Sequence, residues 1–448
     1  MASPAPRRFP DGFLWGAATS AYQVEGAVAT GGRGESIWDR FAHTEGAVDG
    51  GGTGDVACDH YRRWRSDVDL MASLGLNAYR FSIAWPRLFP SGAGPVNPAG
   101  LAHYDRLIDA LLARGIEPVV TLYHWDLPQA LQETGGWRDR DTAARFAGYA
   151  RECFAAYGDR VRTWVTINEP WIIGVLGHQL GIHAPGERDL GGSVRAMHHL
   201  LLAHGLAVQA LRAGGGDGRA GVAYSLFPHE PASDSAADLA ATEGSDGYVN
   251  RWFLDPVLRG EYPADMWRRY ESALGHPLDW VRDGDLETIA AGADFIGVNY
   301  YTTRVMRAAP DRPPFGWEVV PVPDGTPVTD AGWAIVPSAL TGLLLRLHRD
   351  YPRVPLLITE NGGVFDDAPA DPRRVGFLRD HLVAVHEAIA AGAPVAGYFH
   401  WSLMDNFEWA MGYAPRFGLV HVDYETQART VKDSGRYYAD LIRTGAVR

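Results

Sequence analysis

NAYRFSIAW (residues 77–85), LAHYDRLIDALLARG (residues 101–115) and EPVVTLYHW (residues 117–125) follow one another along the chain and read as strand, helix, strand. The outer two runs are short, apolar and rich in aromatic and β-branched residues, and each ends in polar or aromatic side chains. In the middle run Leu101, Tyr104, Leu107, Ile108, Leu111 and Leu112 recur at i, i+3, i+4 spacing until Gly115 stops the helix. Near-continuous apolar strands separated by an amphipathic helix indicate parallel pairing, with the helix covering the outer face of the sheet.

The same unit recurs in both directions. Further apolar runs are FLWGAATSAYQVEG (residues 13–26), TWVTINEP (163–170), RAGVAYSLF (219–227), DFIGVNYY (294–301), PLLITENG (355–362) and PVAGYFHWSL (394–403). TAARFAGYARECFAAYGDR (142–160) and FLRDHLVAVHEAIAAGA (377–393) are helical patterns between them. Eight strands without a duplicated half favour closure over an open doubly wound sheet. The reading is an α/β chain forming a single (β/α)8 TIM barrel over residues 1–448, with elaborated βα loops at its C-terminal face. The Pro-rich segment 307–328 reads as one such loop over that face and not as a linker.

Composition narrows the function. Asp and Glu outnumber Lys and Arg by 54 to 41, a net charge of −13, which argues against nucleic acid and anionic membranes as partners. Lys432 is the sole lysine, so Schiff-base chemistry and a phosphate-loop lysine are not indicated. Two cysteines, Cys58 and Cys153, give neither a disulfide framework nor zinc-ligand spacing. No apolar leader, membrane span or N-x-[ST] sequon is present, so a soluble cytoplasmic protein is expected. Fifteen Trp and nineteen Tyr are a heavier load of rings than a core requires; such rings line carbohydrate sites but also fill large cores, so composition does not choose between the two.

Barrel enzymes place their chemistry where strands end. Here those ends carry Gln23, Arg80, His124 with Trp125, Asn168 with Glu169, Asn299 with Tyr301, Glu360 with Asn361, and His400 with Trp401. Two carboxylates facing one pocket suit glycosidic cleavage: one protonates the leaving oxygen, and the other attacks the anomeric carbon or activates water there. A separation of about 5–5.5 Å would mean retention and one of roughly 6.5–9.5 Å inversion.

The motifs TINEP (166–170) and ITENG (358–362) resemble the acid/base and nucleophile motifs of glycoside hydrolase family 1, the β-glucosidase family. So do FLWGAATSAYQVEG, YRFSIAWPR, LYHWDLP, HAPG, WFLDPV, NYY and FEWA-x-GY, in order along nearly the whole chain. The resemblance implies Glu169 as acid/base and Glu360 as nucleophile. It implies a sugar subsite of Gln23, His124, Asn168, Glu408 and Trp409 with Trp401 beneath the ring, and Trp333 as an aglycone platform. Trp125, Asn299, Tyr301 and Phe417 are expected to complete it. Arg80 and the Tyr301 hydroxyl would support Glu360, whereas Glu169, facing a negative neighbour, should stay protonated near neutrality.

Family members acting on 6-phosphorylated sugars are expected to carry a Ser, Lys, Tyr clamp at Glu408, Pro415 and Phe417, and all three differ here. An anionic Glu408 would repel phosphate. The expected activity is retaining exo-hydrolysis of terminal β-D-glucosyl residues from cellobiose, short cello-oligosaccharides and aryl β-glucosides, with some transglycosylation and neither cofactor nor metal. β-Galactosidase or β-fucosidase specificity and a silent sugar-binding protein are the alternatives. Weaker signals fail on context. The G-x-G-x-x-G match at 216–221 precedes a strand. His198, His199 and His204 read as a helix face, and Asp67 with Asp69 as a solvated first turn.

Overall fold

All eight apolar runs are strands, and they close in chain order into one parallel barrel. The computed structural model describes residues 6–365 and 369–448. The barrel strands are β1 (Leu14–Ala18), β2 (Ala78–Ser82), β3 (Glu117–Tyr123), β4 (Thr163–Asn168), β5 (Arg219–Ser225), β6 (Phe295–Tyr300), β7 (Leu356–Asn361) and β8 (Val395–Trp401). Closure sets Trp401 of β8 beside Ala18 of β1, which in turn sits beside Arg80 of β2.

Parallel pairing needs a return path over the outside, and helices such as Pro98–Leu112, Leu190–Ala213 and Pro372–Ala390 supply it. The start of Pro98–Leu112 is set locally. Proline occupies its first position, and the Asn97 side chain accepts the Ala99 amide at 3.2 Å. Tyr104, Leu107, Ile108 and Leu111 are buried against the barrel. Leu112, expected in the same stripe, is 39% exposed: the next residue around the helix falls past the edge of the buried face.

The barrel interior is filled with side chains. Ala18, Ala78, Val119, Val165 and Ala223 leave room that Leu357 and Phe399 occupy. The Phe399 ring fits because Gly16 faces it; a Cβ at Gly16 would lie 2.3 Å from that ring. A plugged interior leaves open space only beyond the strand ends.

Three sequence readings need correction or refinement. Segment 307–328 is not all loop. Arg304–Ala308 pairs antiparallel with Trp317–Val319 and parallel with His229–Pro231, making a side sheet whose remote partner strand local sequence does not reveal. Asp67 is not solvated. It is buried in helix His60–Ser73, bonded to His60 Nδ1 at 2.8 Å and to Arg429 Nε at 3.0 Å, and only Asp69 is exposed. His198, His199 and His204 lie on Leu190–Ala213 as expected, but on a buried face. They are bonded to Asp285 and Tyr262, to the Trp137 carbonyl, and to the Thr166 hydroxyl.

Cys58 and Cys153 are unpaired and buried. Among the described residues no helix is long and apolar enough to cross a membrane.

Lys432, the sole lysine, is completely buried. Its Nζ donates to Asp405 Oδ1 at 2.8 Å, and the same carboxylate receives the Gly418 amide at 2.9 Å and Arg416 Nη1 at 3.3 Å. Asp405 lies in the segment that carries Trp401 and Glu408, so this cluster fixes the wall of the cavity described below. Truncation to Lys432→Met is expected to lower unfolding stability in urea by about 3 kcal/mol, the usual consequence of leaving half of a buried pair. An unchanged midpoint would mean that Arg416 neutralises Asp405 unaided.

Candidate active site

Glu169 follows the last residue of β4, and Glu360 is the last but one of β7. Both strands lose regular pairing there: the register shifts between Val165 and Asn168 against β5, and between Ile358 and Glu360 against β6. Such irregularities turn a side chain that would otherwise alternate with its neighbours. Glu169 has left-handed backbone (φ 52), as do Trp125 (φ 77) and Trp409 (φ 53). For residues with a Cβ this conformation costs energy, and it persists where surrounding contacts enforce it. All four side chains line a single cavity of about 570 Å³ at the strand ends. Gly362 belongs to the same construction, since a Cβ there would lie 1.9 Å from the Trp401 carbonyl oxygen.

Arg80 organises the floor. Its Nη1 donates to Glu360 Oε1 at 2.6 Å and to the Thr359 carbonyl at 3.1 Å. Nη2 donates to Asn168 Oδ1 at 2.6 Å, and Nε to Thr121 Oγ1 at 3.1 Å. The Tyr301 hydroxyl donates to the other Glu360 oxygen at 2.6 Å. Burial and the neighbouring carboxyls keep that phenol far from ionising, so it remains a donor. Asn299 does not line the cavity. It donates to Asn168 Oδ1 at 3.1 Å and accepts from Thr359 at 2.6 Å, which makes it a strut between strand ends.

The two glutamates are electrically unlike. Desolvation, then the charge of Glu360, pushes Glu169 up to about 8; hydrogen bonds from Asn299 and Ser225 and the charge of Arg80 pull the other way without prevailing. Glu169 is therefore protonated at neutral pH. Burial, then Glu360, also pushes Glu408 up to about 8. That shift runs against the expectation of a fully anionic Glu408. The departures at Pro415 and Phe417 from the phosphate clamp remain.

Burial and the Arg80 charge hold His124 well below the usual histidine range, so its ring is neutral. Its Nε2 faces the Asn168 amide at 3.1 Å, while its buried Nδ1 has no hydrogen-bond partner among the described residues. A buried polar atom left unpaired beside a cavity is placed to bond a ligand.

Ring contacts sort the lining into two groups. His124 lies face to face with Trp401 and Trp409 (centroids 5.8 and 6.0 Å), Trp125 packs on Trp409 at 4.5 Å, and Glu408 bonds to Trp401. Trp125 Nε1 is tied to the Asn168 carbonyl at 2.8 Å. On the other side Trp333 meets Tyr301 edge-on at 5.7 Å and Phe417 at 6.1 Å.

Gln23 stands behind Glu408, outside the lining. Its amide nitrogen is engaged with the Phe407 carbonyl at 2.8 Å and reaches Glu408 at 3.5 Å. Asn168 likewise lies beneath the surface. Sequence reasoning missed Trp171, Phe227, Arg304, Val319 and Val322, all of which line the cavity. Trp171 follows Glu169 closely enough to have been found. The others lie past the strand ends, or on the side sheet, where the strand-end rule does not reach.

Comparison with known proteins agrees with this geometry. The model of the family described as "Glycosyl hydrolase family 1" matches residues 5–446. Thermostable beta-glucosidase B of Thermobispora bispora is 50% identical, over 98% of this chain and 92% of its own. A bifunctional beta-D-glucosidase/beta-D-fucosidase of Bifidobacterium breve is 45% identical, over 98% and 99%. The solved family 1 β-glucosidase from Thermotoga maritima superposes with a TM-score of 0.95 at 44% identity, over 99% of this chain and all of that one. Its other structures include complexes with castanospermine and glucoimidazole. The chain belongs to glycosyl hydrolase family 1.

The ionisation of Glu169 fixes a pH dependence. A carboxyl can donate a proton only below its pKa, so if Glu169 is the acid, kcat/KM for an aryl β-glucoside should fall as pH rises through about 8. Glu169→Gln, assayed with a leaving group acidic enough to need no proton, should show no such limb. A limb that survives in the variant would assign it to Glu408, which titrates in the same range.

Proposed function

We propose that this chain is a retaining exo-β-glucosidase acting as one catalytic unit, with Glu169 as general acid and base and Glu360 as nucleophile. The observation that carries the reading is the division of labour between two glutamates in one cavity. Arg80 and Tyr301 grip both oxygens of Glu360, whereas Glu169 is held protonated. Glu360 attacks the anomeric carbon as Glu169 hands its proton to the departing oxygen. In the glycosyl-enzyme the charge on Glu360 is gone, and with it the charge repulsion that raised Glu169. Glu169 then accepts a proton from the incoming water, or from a second sugar in transglycosylation.

The glycone is read as glucose, seated on Trp401 with hydrogen bonds from His124 and Glu408. Gln23, Asn168 and Asn299 stand behind as supports, with Trp125, Trp409 and Phe417 around them. Selectivity follows from hydroxyl pairing, since a sugar lacking the matching hydroxyl leaves a buried polar group unpaired. The apolar outer lining, with Trp333, suits aryl aglycones and the faces of a second sugar. The bifunctional relative motivates including fucosides among substrates. The two unpaired cysteines fit a reducing compartment, so the cytoplasm is the proposed location.

The test is hydrolysis of 4-nitrophenyl β-glucoside, β-galactoside and β-fucoside by wild type and Glu360→Ala, with azide added to the variant. The variant should lose activity on the order of 10⁵-fold, and azide should restore turnover with formation of the α-glycosyl azide. A β-azide product, or an active variant, would reject Glu360 as nucleophile. Protection of the sugar without cleavage by wild type would favour a binding protein instead.

A further inference from the structure

We propose that Arg304 makes the outer end of the cavity an anion-recognition subsite, so that the enzyme favours β-glucosides whose aglycone is an aromatic ring bearing a carboxylate. The inference rests on the glucosidase reading and adds the chemistry of the group that leaves.

Arg304 opens the side-sheet strand Arg304–Ala308, three residues after Tyr301, and it lines the cavity. Its guanidinium carbon sits 3.9 Å from the Phe227 ring centroid and 4.9 Å from that of Trp171. The two rings are themselves 6.0 Å apart and inclined at 62°. Both rings lie against the cation, and neither offers an acceptor to the five N–H donors that a guanidinium carries. No hydrogen bond or ion pair from this guanidinium to another side chain or to the backbone is present among the described residues. Arg304 is half-buried; the fully buried Arg80 and Arg374 each make several such bonds.

The surroundings sharpen the point. Besides Trp171 and Phe227, this end of the cavity carries Val319 and Val322, and none of these four side chains can neutralise a cation. The Tyr248 hydroxyl and His229, which faces Arg304 across the side sheet, are its ionisable neighbours; burial keeps both neutral, so neither gives a negative charge to Arg304. Desolvation pulls the Arg304 pKa down to about 10, which still leaves it charged at neutral pH. A cation held in an apolar wall without a counter-ion costs free energy, and an anionic ligand group recovers it.

Trp171 lies two residues after Glu169, so the stacked arginine is linked directly to the segment that protonates the leaving oxygen. A planar carboxylate matches the guanidinium fork, whereas a neutral amide of the same shape offers one acceptor and no charge.

The experiment compares kcat/KM for 4-carboxyphenyl and 4-carbamoylphenyl β-glucosides in wild type and in Arg304→Met, which keeps an unbranched stem against the rings. The intrinsic difference between the leaving groups is common to both enzymes and cancels when the carboxylate-to-amide ratio is compared between them. That ratio should be about tenfold larger in wild type at low salt, and added salt should shrink it towards the value in the variant. A ratio equal in the two enzymes overturns the proposal, because a purely structural arginine would affect both substrates alike. If Arg304→Met does not fold, by circular dichroism, the salt dependence of the wild-type ratio decides, and a salt-independent ratio overturns it. Wild type that cleaves neither compound overturns the glucosidase reading and this one together; cleavage of both with an unchanged ratio overturns this one alone.

Discussion

A guanidinium shut away from water must find its hydrogen bonds inside the protein, and Arg80 finds them on three other strands of the barrel. From β2 it reaches Thr121 on β3, Asn168 on β4, and both Glu360 and the Thr359 carbonyl on β7. Removing any of these partners would leave a charged donor unpaired at the bottom of a cavity, and such vacancies are costly. The strand ends are thereby tied to one another through a group that cannot tolerate slack. Asn299 and Thr359 extend the tie to β6. The positions of both glutamates follow from this network more than from the loops that surround them.

The charge pattern follows from the same burial. Three carboxyl groups, Glu169, Glu360 and Glu408, share one cavity in which Arg80 is the cation bonded to any of them. Glu360 has the cation and the phenol. Glu169 and Glu408, raised by burial and by Glu360, hold their protons at neutral pH. Identical side chains thus sit in unlike surroundings because one guanidinium can satisfy only one of them by direct contact.

Strained backbone also occurs at the same place. Trp125, Glu169 and Trp409 all take left-handed φ, and β4 and β7 slip register where they deliver the glutamates. The energy that holds them comes from packing elsewhere: the plugged barrel interior, the stacked rings of His124, Trp401 and Trp409, and the buried pair of Lys432 with Asp405. Rigid walls and unpaired donors, such as His124 Nδ1, are what a site must keep ready before its ligand arrives.

The strand runs, their parallel pairing, the closed eightfold order and the place of two glutamates at strand ends facing one cavity were all legible in the sequence. Apolar runs, helix periodicity and strand-end residues are local signals that survive any arrangement of the rest. The burial of Asp67 and Lys432, the side sheet within 304–319, the withdrawal of Gln23 behind Glu408 and the stacking of Arg304 were not legible. Each depends on residues far apart in the chain, such as Arg429 for Asp67 or His229–Pro231 for Arg304–Ala308. The sequence by itself determined which chemical groups stand at the strand ends, because periodicity is a property of neighbours. Only the tertiary structure decided which of those groups carries charge and which is left without a partner, because ionisation and hydrogen bonding depend on what burial brings alongside.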